Sequence, residues 1–428
     1  MELVSKLRKR SSEGNPIRIG IVGCGQMGSG LAHAINNIDG MRVCAIADID
    51  VDRAINTYKE MGRAQSDIVV AENLGCAEDL IKAGKVVVTP DAFQMPLMDS
   101  LEALVEVTGV PDIGARVAYD SIMNRKPVIM LNVETDITIG VYLNQLARKM
   151  GSVYTVASGD EPGVCKMLYE QAILMGFEVV TLGKGKNNPI DLEATPDSCV
   201  EEARPKNMNP KMLSAFKDGT KTMVEMAAVS NATGLVPDVA GMRGPKVEID
   251  DLVNVYIPQE DGGLFSKSGV VDYSTGAIAP GVFAIVRSYD VRIRREMDFI
   301  THAEGPYYLH YRPYHLCDLE TPQSIAEAVL LGEVTVTAEK MHSEVVCTAK
   351  RDIGQGEKLG GIGGTEWYGK IMTYEDAKAQ KAVPIGVGAN ATALRPIKKG
   401  SIITEDDVNL DQSTFVYKLR RLQDALYS

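Results

Sequence analysis

The hydrophobic pattern of the first third of the chain alternates short apolar runs with segments of helical period. Runs at 17–22, 43–47, 85–89 and 128–131 are short and nearly continuous, which is typical of strands buried on both faces. Between the first two runs, apolar residues recur every three or four positions, as on one face of a helix. Strands that alternate with helices predict an α/β domain built on a doubly wound parallel sheet.

A glycine-rich loop follows the first predicted strand. In the sequence IGIVGCGQMGSG, Gly23, Gly25 and Gly28 form a GxGxxG motif. The first glycine permits a tight turn, the second lets a pyrophosphate approach the backbone, and the third lets the helix pack closely. Gln26 and Met27 begin that helix, whose N–H groups would face the phosphates. Because the strand precedes the motif and the helix follows it, the sequence predicts a Rossmann unit that binds a dinucleotide.

An acidic residue ends the second predicted strand, as this kind of unit requires. Asp48 closes the run 43–47, where a carboxylate can bind the ribose hydroxyls and repel a 2′-phosphate. This favours NAD. Arg53 follows closely and could hold a 2′-phosphate, so NADP stays open. The alternative is that Asp48 is a turn residue that begins the next helix.

Polar residues end two further predicted strands. Thr89 and Asp91 close one of them, and Asn132 and Glu134 close the next. The carboxyl ends of the strands in such a sheet face the cofactor, so we expect these four side chains near the nicotinamide. Alternatively, Glu134 caps a helix that begins at Asp136.

Composition and charge exclude several classes of protein. The 428 residues carry a formal net charge of −12 without a long basic block, so we expect no nucleic-acid partner. No stretch of 18 apolar residues exists, and we expect neither a membrane span nor a secretory signal. The seven cysteines are scattered and form no CxxC pair, which favours reduced thiols in a cytoplasmic protein. Base rates favour a symmetric homo-oligomer such as a homodimer.

The chain is long enough for two or three domains, and its patterns suggest three. Residues 1–150 form the dinucleotide-binding domain. Residues 151–330 mix strands and helices, as in an α+β substrate or catalytic domain. Long polar connections around 187–212 and 241–278 suggest functional loops there. Residues 331–428 form a small β-rich domain.

An internal repeat marks that last segment. Residues 349–356 and 393–400 both read A-x-R-x-I-x-x-G. Gly356 and Gly400 would occupy turns with positive φ. The pattern resembles the SAF domain, a small β-rich module. The resemblance implies either a cap over a sugar-acid site or a structural and association role.

Carboxylates at the end of a strand are the first candidates for chemistry in the middle region. Asp160 and Glu161 follow the predicted strand 153–157 and precede a helix. Adjacent carboxylates suit a hard divalent cation such as Mg²⁺ or Mn²⁺. Alternatively, they cap the helix.

Lysines supply the other candidates. Lys184 and Lys186 follow an apolar strand and could bind a phosphate or carboxylate, or simply form an exposed basic turn. Lys221 and Glu225 are four residues apart on a mostly apolar helix, which suggests either a partly buried proton donor or a surface ion pair. His315 follows a predicted strand rich in aromatic residues and could reach a substrate or be structural.

These segments resemble known enzymes. The N-terminal half is similar to the homoserine dehydrogenase type of Rossmann enzyme, whose substrate helix carries D-G-x-D-x-x-x-K. Here Asp218 and Gly219 match the start, but Lys221 takes the aspartate position and Glu225 the lysine position, so the charges are exchanged.

The order of a Rossmann start, a homoserine-dehydrogenase-like middle and a SAF-like end resembles the 1-deoxy-D-xylulose 5-phosphate reductoisomerase-like oxidoreductases. The resemblance implies NADPH and a divalent metal. It would make Asp160 and Glu161 metal ligands, and Lys184, Lys186 and His315 contacts to phosphate or hydroxyl groups.

We therefore expect an NAD(P)-dependent oxidoreductase that acts on a CH–OH group of a small phosphorylated or hydroxylated substrate. The leading hypothesis is conversion of 1-deoxy-D-xylulose 5-phosphate to 2-C-methyl-D-erythritol 4-phosphate, a step of isoprenoid precursor synthesis. One alternative is a simple dehydrogenase of a small hydroxy acid, polyol or amino alcohol. The other is a redox regulator that binds NAD(P) without turnover.

Overall fold

The computed structural model describes residues 2–206 and 208–427. Its strands are β1 (Ile17–Val22), β2 (Met41–Ala47), β3 (Ile68–Val70), β4 (Val86–Thr89), β5 (Ala103–Glu106), β6 (Val128–Met130), β7 (Tyr154–Val156), β8 (Glu178–Gly185), β9 (Val270–Ser274), β10 (Val282–Arg287), β11 (Tyr307–Arg312), β12 (Ser343–Ala349), β13 (Trp367–Thr373), β14 (Thr392–Ala393) and β15 (Val408–Asn409). Its α-helices are α1 (Glu2–Ser12), α2 (Gln26–Asn36), α3 (Val51–Glu60), α4 (Leu74–Lys82), α5 (Pro111–Met123), α6 (Val133–Met150), α7 (Glu161–Leu174), α8 (Pro196–Ala203), α9 (Pro210–Lys217), α10 (Thr220–Thr233), α11 (Leu252–Val255), α12 (Val291–Thr301), α13 (Cys317–Leu330), α14 (Tyr374–Ala379) and α15 (Phe415–Tyr427). None of these helices is both long and apolar enough to cross a lipid bilayer.

The chain divides into two compact units. Unit 1 consists of Met1–Asp160, Leu316–Glu339 and Ser413–Ser428, and unit 2 consists of Glu161–His315 and Lys340–Gln412. The predicted division into three domains at 150 and 330 stays a prediction.

Unit 1 is built on a seven-stranded sheet in the order β3-β4-β2-β1-β5-β6-β7. All of its neighbouring strands run parallel. The strand order reverses at β1, which lies between β2 and β5, and ligands of such sheets bind at the carboxyl ends beside this switch point. The predicted α/β fold with a doubly wound parallel sheet is confirmed.

The core of unit 1 consists of the apolar runs that the sequence predicted as strands. Ile19 and Ile21 of β1 are fully buried, and Leu31 and Ile35 of α2 pack into the same cluster. The helix α13, more than 280 residues later, packs on α2. Burial on both faces explains why these strands lack polar alternation.

Unit 2 holds a mixed sheet in the order β11-β10-β8-β9. β10 runs antiparallel to β8 and β11, whereas β8 and β9 are parallel. This agrees with the α+β character predicted for the middle region. Lys184 lies within β8 and pairs with Tyr273 of β9, so the alternative of an exposed basic turn is wrong for this residue.

The internal repeat forms a matched pair within unit 2. The two copies exchange equivalent backbone hydrogen bonds, which are Ile353 N to Ile397 O and its reverse (2.9 Å each), Gly356 N to Ala393 O (2.8 Å) and Gly400 N to Ala349 O (2.8 Å). Gly356 and Gly400 have φ of 83° and 81°, as the turn prediction requires. The repeat therefore forms a pseudo-twofold β element, and its resemblance to a SAF domain stays a prediction.

Candidate functional site

Each glycine of the GxGxxG loop has its own structural reason. Gly23 has φ of 98°, a conformation that favours glycine. A Cβ on Gly28 would lie 2.0 Å from the carbonyl oxygen of Gly23, so the helix α2 could not pack against the loop. Around a Cβ on Gly25, by contrast, no atom of the described residues lies within 4 Å. The second glycine thus faces open space, where a pyrophosphate can approach.

The N-terminus of α2 is available to an anion. Gly25 is its N-cap, and no side chain in the described part of the chain caps it. Gln26 and Met27 form its first turn, and both are exposed. The free N–H groups and the helix dipole suit a phosphate. These residues fit the diphosphate of NAD(P).

Asp48 lies against the glycine loop. Its Oδ2 accepts a hydrogen bond from the Cys24 N–H (2.6 Å), and its Oδ1 accepts one from the Asp50 N–H (2.8 Å). Asp50, and not Asp48, caps α3, so the alternative helix-start role of Asp48 is wrong. The exposed guanidinium of Arg53 lies 3.2 Å from the Asp50 carboxylate. The carboxylate of Asp48 thus stands where ribose hydroxyls bind in a Rossmann unit.

The other predicted cofactor residues lie at the carboxyl ends of β4 and β6. Thr89 is buried and its Oγ1 accepts the Asp91 N–H (3.1 Å). Asn132 caps α6 by accepting the Thr135 N–H (3.2 Å). Glu134 is buried in the first turn of α6, so the alternative that it caps this helix is wrong.

Sequence reasoning missed a buried carboxyl at the same edge of the sheet. Glu106 ends β5 and is fully buried, with its Oε1 accepting the Thr108 N–H (3.0 Å). The pKa of Glu106 is raised to about 7, mainly by burial and to a lesser extent by the charge of Glu134, against hydrogen bonds from Thr108 and Asn132 that lower it. The sequence signal for this residue is the short apolar run of β5, which ends in Glu106.

In unit 2, three distant segments bring a lysine and two glutamates together in the interior. Lys184 Nζ donates hydrogen bonds to Glu161 at the start of α7 and to Glu225 in the middle of α10. All three side chains are buried. We call Lys184, Glu161, Glu225 and the adjoining His315 the lysine–carboxylate cluster. The alternative of a surface ion pair between Lys221 and Glu225 is wrong, because Glu225 is buried and bonds to Lys184, while the charge of Lys221 also lowers the pKa of Glu225.

The electrostatics of this cluster follow from burial and mutual attraction. Burial alone would lower the pKa of Lys184, but the charges of Glu161 and Glu225 outweigh it and raise the pKa well above its usual value. Burial and the Glu161 charge raise the pKa of Glu225, against the attraction of Lys184 and Lys221. Lys184 is therefore a fixed cation and a poor proton donor.

His315 adjoins the cluster. Its Nδ1 lies 2.8 Å from the Pro280 carbonyl oxygen and must carry a hydrogen to bond it. Its Nε2 lies 3.3 Å from Glu161 Oε1. His315 is about one-fifth exposed and links the buried cluster to solvent.

Lys186 lies two residues after Lys184 in sequence, and its pKa is shifted in the opposite direction. Its Nζ donates to the carbonyl oxygen of Phe216 and to Asn188 Oδ1 (3.0 Å each). Burial, followed by the charge of Lys184, lowers its pKa to about 8, while Glu225 and Asp218 act in the opposite sense. Lys186 can therefore gain or lose a proton near neutral pH.

The glycine between the two lysines serves the packing of the chain. A Cβ on Gly185 would lie 2.1 Å from the backbone nitrogen of Ala279. Glycine is therefore required here by the close approach of Ala279.

The predicted metal ligands have other contacts. In unit 1, Asp160 Oδ1 accepts a hydrogen bond from Cys317 Sγ (3.2 Å). In unit 2, Glu161 Oε1 receives the ammonium of Lys184 and lies beside His315. A divalent cation such as Mg²⁺ or Mn²⁺ would therefore have to displace the Lys184 ammonium from Glu161 Oε1.

Solved structures with a similar chain path are dehydrogenases of low sequence identity. A probable dehydrogenase from Thermotoga maritima is 13% identical over 75% of this chain and 91% of its own, with a TM-score of 0.43. A 3-ketoreductase from Actinomadura kijaniata in complex with NADP is 14% identical over 75% of this chain and 91% of its own (TM-score 0.38). A scyllo-inositol dehydrogenase from Lactobacillus casei with NAD(H) and scyllo-inositol is 14% identical over 69% of this chain and 76% of its own (TM-score 0.37).

A sequence family covers the segment that holds the cluster. Residues 159–321 match the family described as the catalytic domain of oxidoreductase DRL. A search of curated proteins found no match. The matched segment contains all members of the lysine–carboxylate cluster together with Lys186 and Lys221, and it is similar to the catalytic domain of an oxidoreductase.

Proposed function

We propose that the chain transfers a hydride between NAD(P) and the carbon of a carbonyl or CH–OH group in a small hydroxylated substrate. The chain is an NAD(P)-dependent oxidoreductase, with a Rossmann sheet in unit 1 and a segment similar to an oxidoreductase catalytic domain. One observation carries the rest of the proposal. Two buried lysines of unit 2 lie two residues apart. Lys184 has a raised pKa and stays protonated, whereas the pKa of Lys186 is lowered to about 8.

Unit 1 supplies the cofactor site in this proposal. The open face of Gly25 and the first turn of α2 would bind the diphosphate, and Asp48 would bind the ribose. The bound nicotinamide supplies or accepts the hydride. The carboxylate of Asp48 favours NAD by repelling a 2′-phosphate.

Unit 2 supplies the proton. Reduction of a carbonyl adds a hydride to carbon and a proton to oxygen, and oxidation of the alcohol removes both. Lys186 is our candidate for this proton transfer, because general acid–base catalysis is most efficient when the pKa lies near the working pH. Two of the three hydrogens on its ammonium are used by Phe216 and Asn188, and the third can reach a substrate oxygen.

The lysine–carboxylate cluster supports that step electrostatically. The ammonium of Lys184 stays protonated between Glu161 and Glu225, and its charge helps to lower the pKa of Lys186. His315, about one-fifth exposed, lies beside Glu161 at the edge of the cluster.

The narrower proposal is reductoisomerase chemistry on 1-deoxy-D-xylulose 5-phosphate. Two buried lysines near one strand end support an anionic group on the substrate, such as a phosphate. The same proposal calls for a divalent cation, and Glu161 is already bound to Lys184. We therefore favour a dehydrogenase of a hydroxylated substrate that needs no metal.

A cofactor-binding regulator without turnover is the rival class. Buried charges are costly to a fold, and perturbed ionisable groups concentrate at catalytic sites. The buried lysine–carboxylate cluster therefore favours an enzyme. A symmetric homo-oligomer remains a prediction.

The proposal is tested by following the absorbance of NADH and NADPH with purified protein and a panel of keto sugars, keto acids and ketose phosphates. We expect oxidation of reduced cofactor with at least one substrate, and the same rate after treatment with a chelator such as EDTA. A chelator that abolishes turnover, restored by Mn²⁺, would establish the metal-dependent reductoisomerase instead. Tight cofactor binding without turnover on any substrate would favour the regulator.

A further inference from the structure

The helix that carries Glu225 is held at both ends by the β12–β13 hairpin of unit 2. At the start of α10, Thr220 Oγ1 accepts the Gly369 N–H (2.8 Å). At its end, Asn231 Oδ1 accepts the backbone N–H groups of His342 (2.7 Å) and Ser343 (2.9 Å). Hydrogen bonds at both ends fix the helix along its own axis. The hairpin therefore determines where Glu225 meets Lys184.

A second buried lysine joins the same helix to the segment 340–412. The ammonium of Lys350 lies 2.7 Å from Asp218 Oδ2 and donates to the carbonyl oxygens of Ala194 (2.7 Å) and Gly364 (2.9 Å). Both members of the ion pair are almost completely buried. Asp218 Oδ1 in turn accepts the N–H of Thr220, the first residue of α10. Lys350 thus connects three segments at the turn between α9 and α10.

This turn also holds Lys186. The carbonyl oxygen that Lys186 bonds belongs to Phe216, two residues before Asp218. The charged groups that shift the pKa of Lys186 are Lys184 from β8, Glu225 from α10 and Asp218 from the turn. Of these, Lys184 lowers the pKa of Lys186, while Glu225 and Asp218 raise it.

We propose that Lys350 is a positioning residue of the candidate active site, acting on Lys186 through the buried ion pair with Asp218. The segment 340–412 then has a definite role, which is to hold the α9–α10 turn and Glu225 in place. Lys350 lies outside the segment that is similar to the oxidoreductase catalytic domain. The catalytic role of Lys186 rests on the proposed function. The contacts between Lys350, Asp218 and the α9–α10 turn are independent of it.

A purely structural Lys350 would contribute to folding and leave the proton affinity of Lys186 unchanged. A positioning role requires that loss of Lys350 also changes the proton affinity of Lys186. Burial raises the pKa of Asp218, and the Lys350 charge opposes this effect. Without Lys350, Asp218 would be driven towards its neutral form and would no longer attract the proton of Lys186.

The test is competitive acetylation of the full chain with trace acetic anhydride across a pH series. Mass spectrometry of the Lys186 peptide gives the pH midpoint at which this amine loses its proton. We expect Lys350→Met and Asp218→Asn each to lower the midpoint by about half a pH unit or more, because both remove the Asp218 charge. Lys350→Arg should keep the wild-type midpoint. So should Lys398→Met, which breaks an exposed ion pair with Asp352 in the same segment.

An unchanged Lys186 midpoint in folded Asp218→Asn and Lys350→Met protein would overturn the inference. If Lys350→Met fails to fold, the nearly isosteric Asp218→Asn decides alone. The labelling needs no substrate, so a shifted midpoint in a protein without turnover would support Lys350 as a positioning residue while refuting the oxidoreductase proposal.

Discussion

Replacement of Lys184 by methionine is expected to lower the free energy of unfolding at neutral pH by about 3–5 kcal/mol. The ammonium compensates two buried carboxylates, Glu161 and Glu225, and donates a hydrogen bond to each of them. Methionine keeps much of the volume but leaves two like charges facing each other in the interior. Urea denaturation of wild type and variant measures the difference.

The free energy of unfolding that Lys184→Met loses should depend on pH. Burial and the Glu161 charge already raise the pKa of Glu225, and loss of Lys184 raises it further. A carboxyl whose pKa is higher in the folded than in the unfolded chain favours folding at low pH, and this contribution is lost as the pH rises through the folded pKa. We therefore expect a smaller difference between Lys184→Met and wild type at pH 5 than at pH 8.

Two further variants separate this effect from general damage. Adding Glu225→Gln to Lys184→Met should recover part of the stability, because one buried charge is removed. Lys398→Met should leave the stability unchanged, because its ion pair with Asp352 is exposed. A loss below about 1 kcal/mol that does not vary with pH would contradict the assignment of Lys184 as the charge that holds the cluster together.

Replacement of Lys186 by methionine should lower kcat by about 100- to 10,000-fold, the usual contribution of a general acid or base. In wild type, carbonyl reduction needs the protonated amine and should slow above pH about 8, while alcohol oxidation should rise through the same pH. The variant should lose this pH dependence and bind the cofactor as before. Steady-state rates in both directions across a pH series make the measurement.

Lys186→Arg is the matched control for this prediction. Arginine keeps the positive charge but does not release a proton in this pH range, so it should not restore kcat. Full activity of either variant, or an unchanged pH profile in Lys186→Met, would assign the proton transfer to another group. His315 would then be the next candidate, since its imidazole lies beside Glu161.

The cofactor loop could be predicted from the sequence because its information is local. Gly23, Gly25 and Gly28 lie within six residues, and a strand before and a helix after them define the unit. The acidic end of β2, Asp48, was found in the same way. Glu106 was missed because an acidic residue at a strand end does not by itself reveal that the side chain is buried.

The lysine–carboxylate cluster could be predicted in its members but not in its pairing. Lys184, Glu225 and His315 were all candidates, yet the spacing of four on α10 pointed to Lys221 as the partner of Glu225. Lys184 and Glu225 are 41 residues apart, and tertiary packing alone decides that they meet. For the same reason the sequence did not reveal the ion pair between Lys350 and Asp218.

Fluorescence titration of NADH and NADPH, in wild type and Gly25→Val, tests most directly whether the glycine loop of unit 1 binds NAD(P). Because no atom of the described residues lies within 4 Å of a Cβ on Gly25 and its φ is −70°, the variant should unfold at the wild-type urea concentration. Its side chain would occupy the place of the pyrophosphate, so we expect cofactor affinity to fall at least about tenfold. Equal affinity in both proteins, or no binding of either cofactor to wild type, would contradict the account.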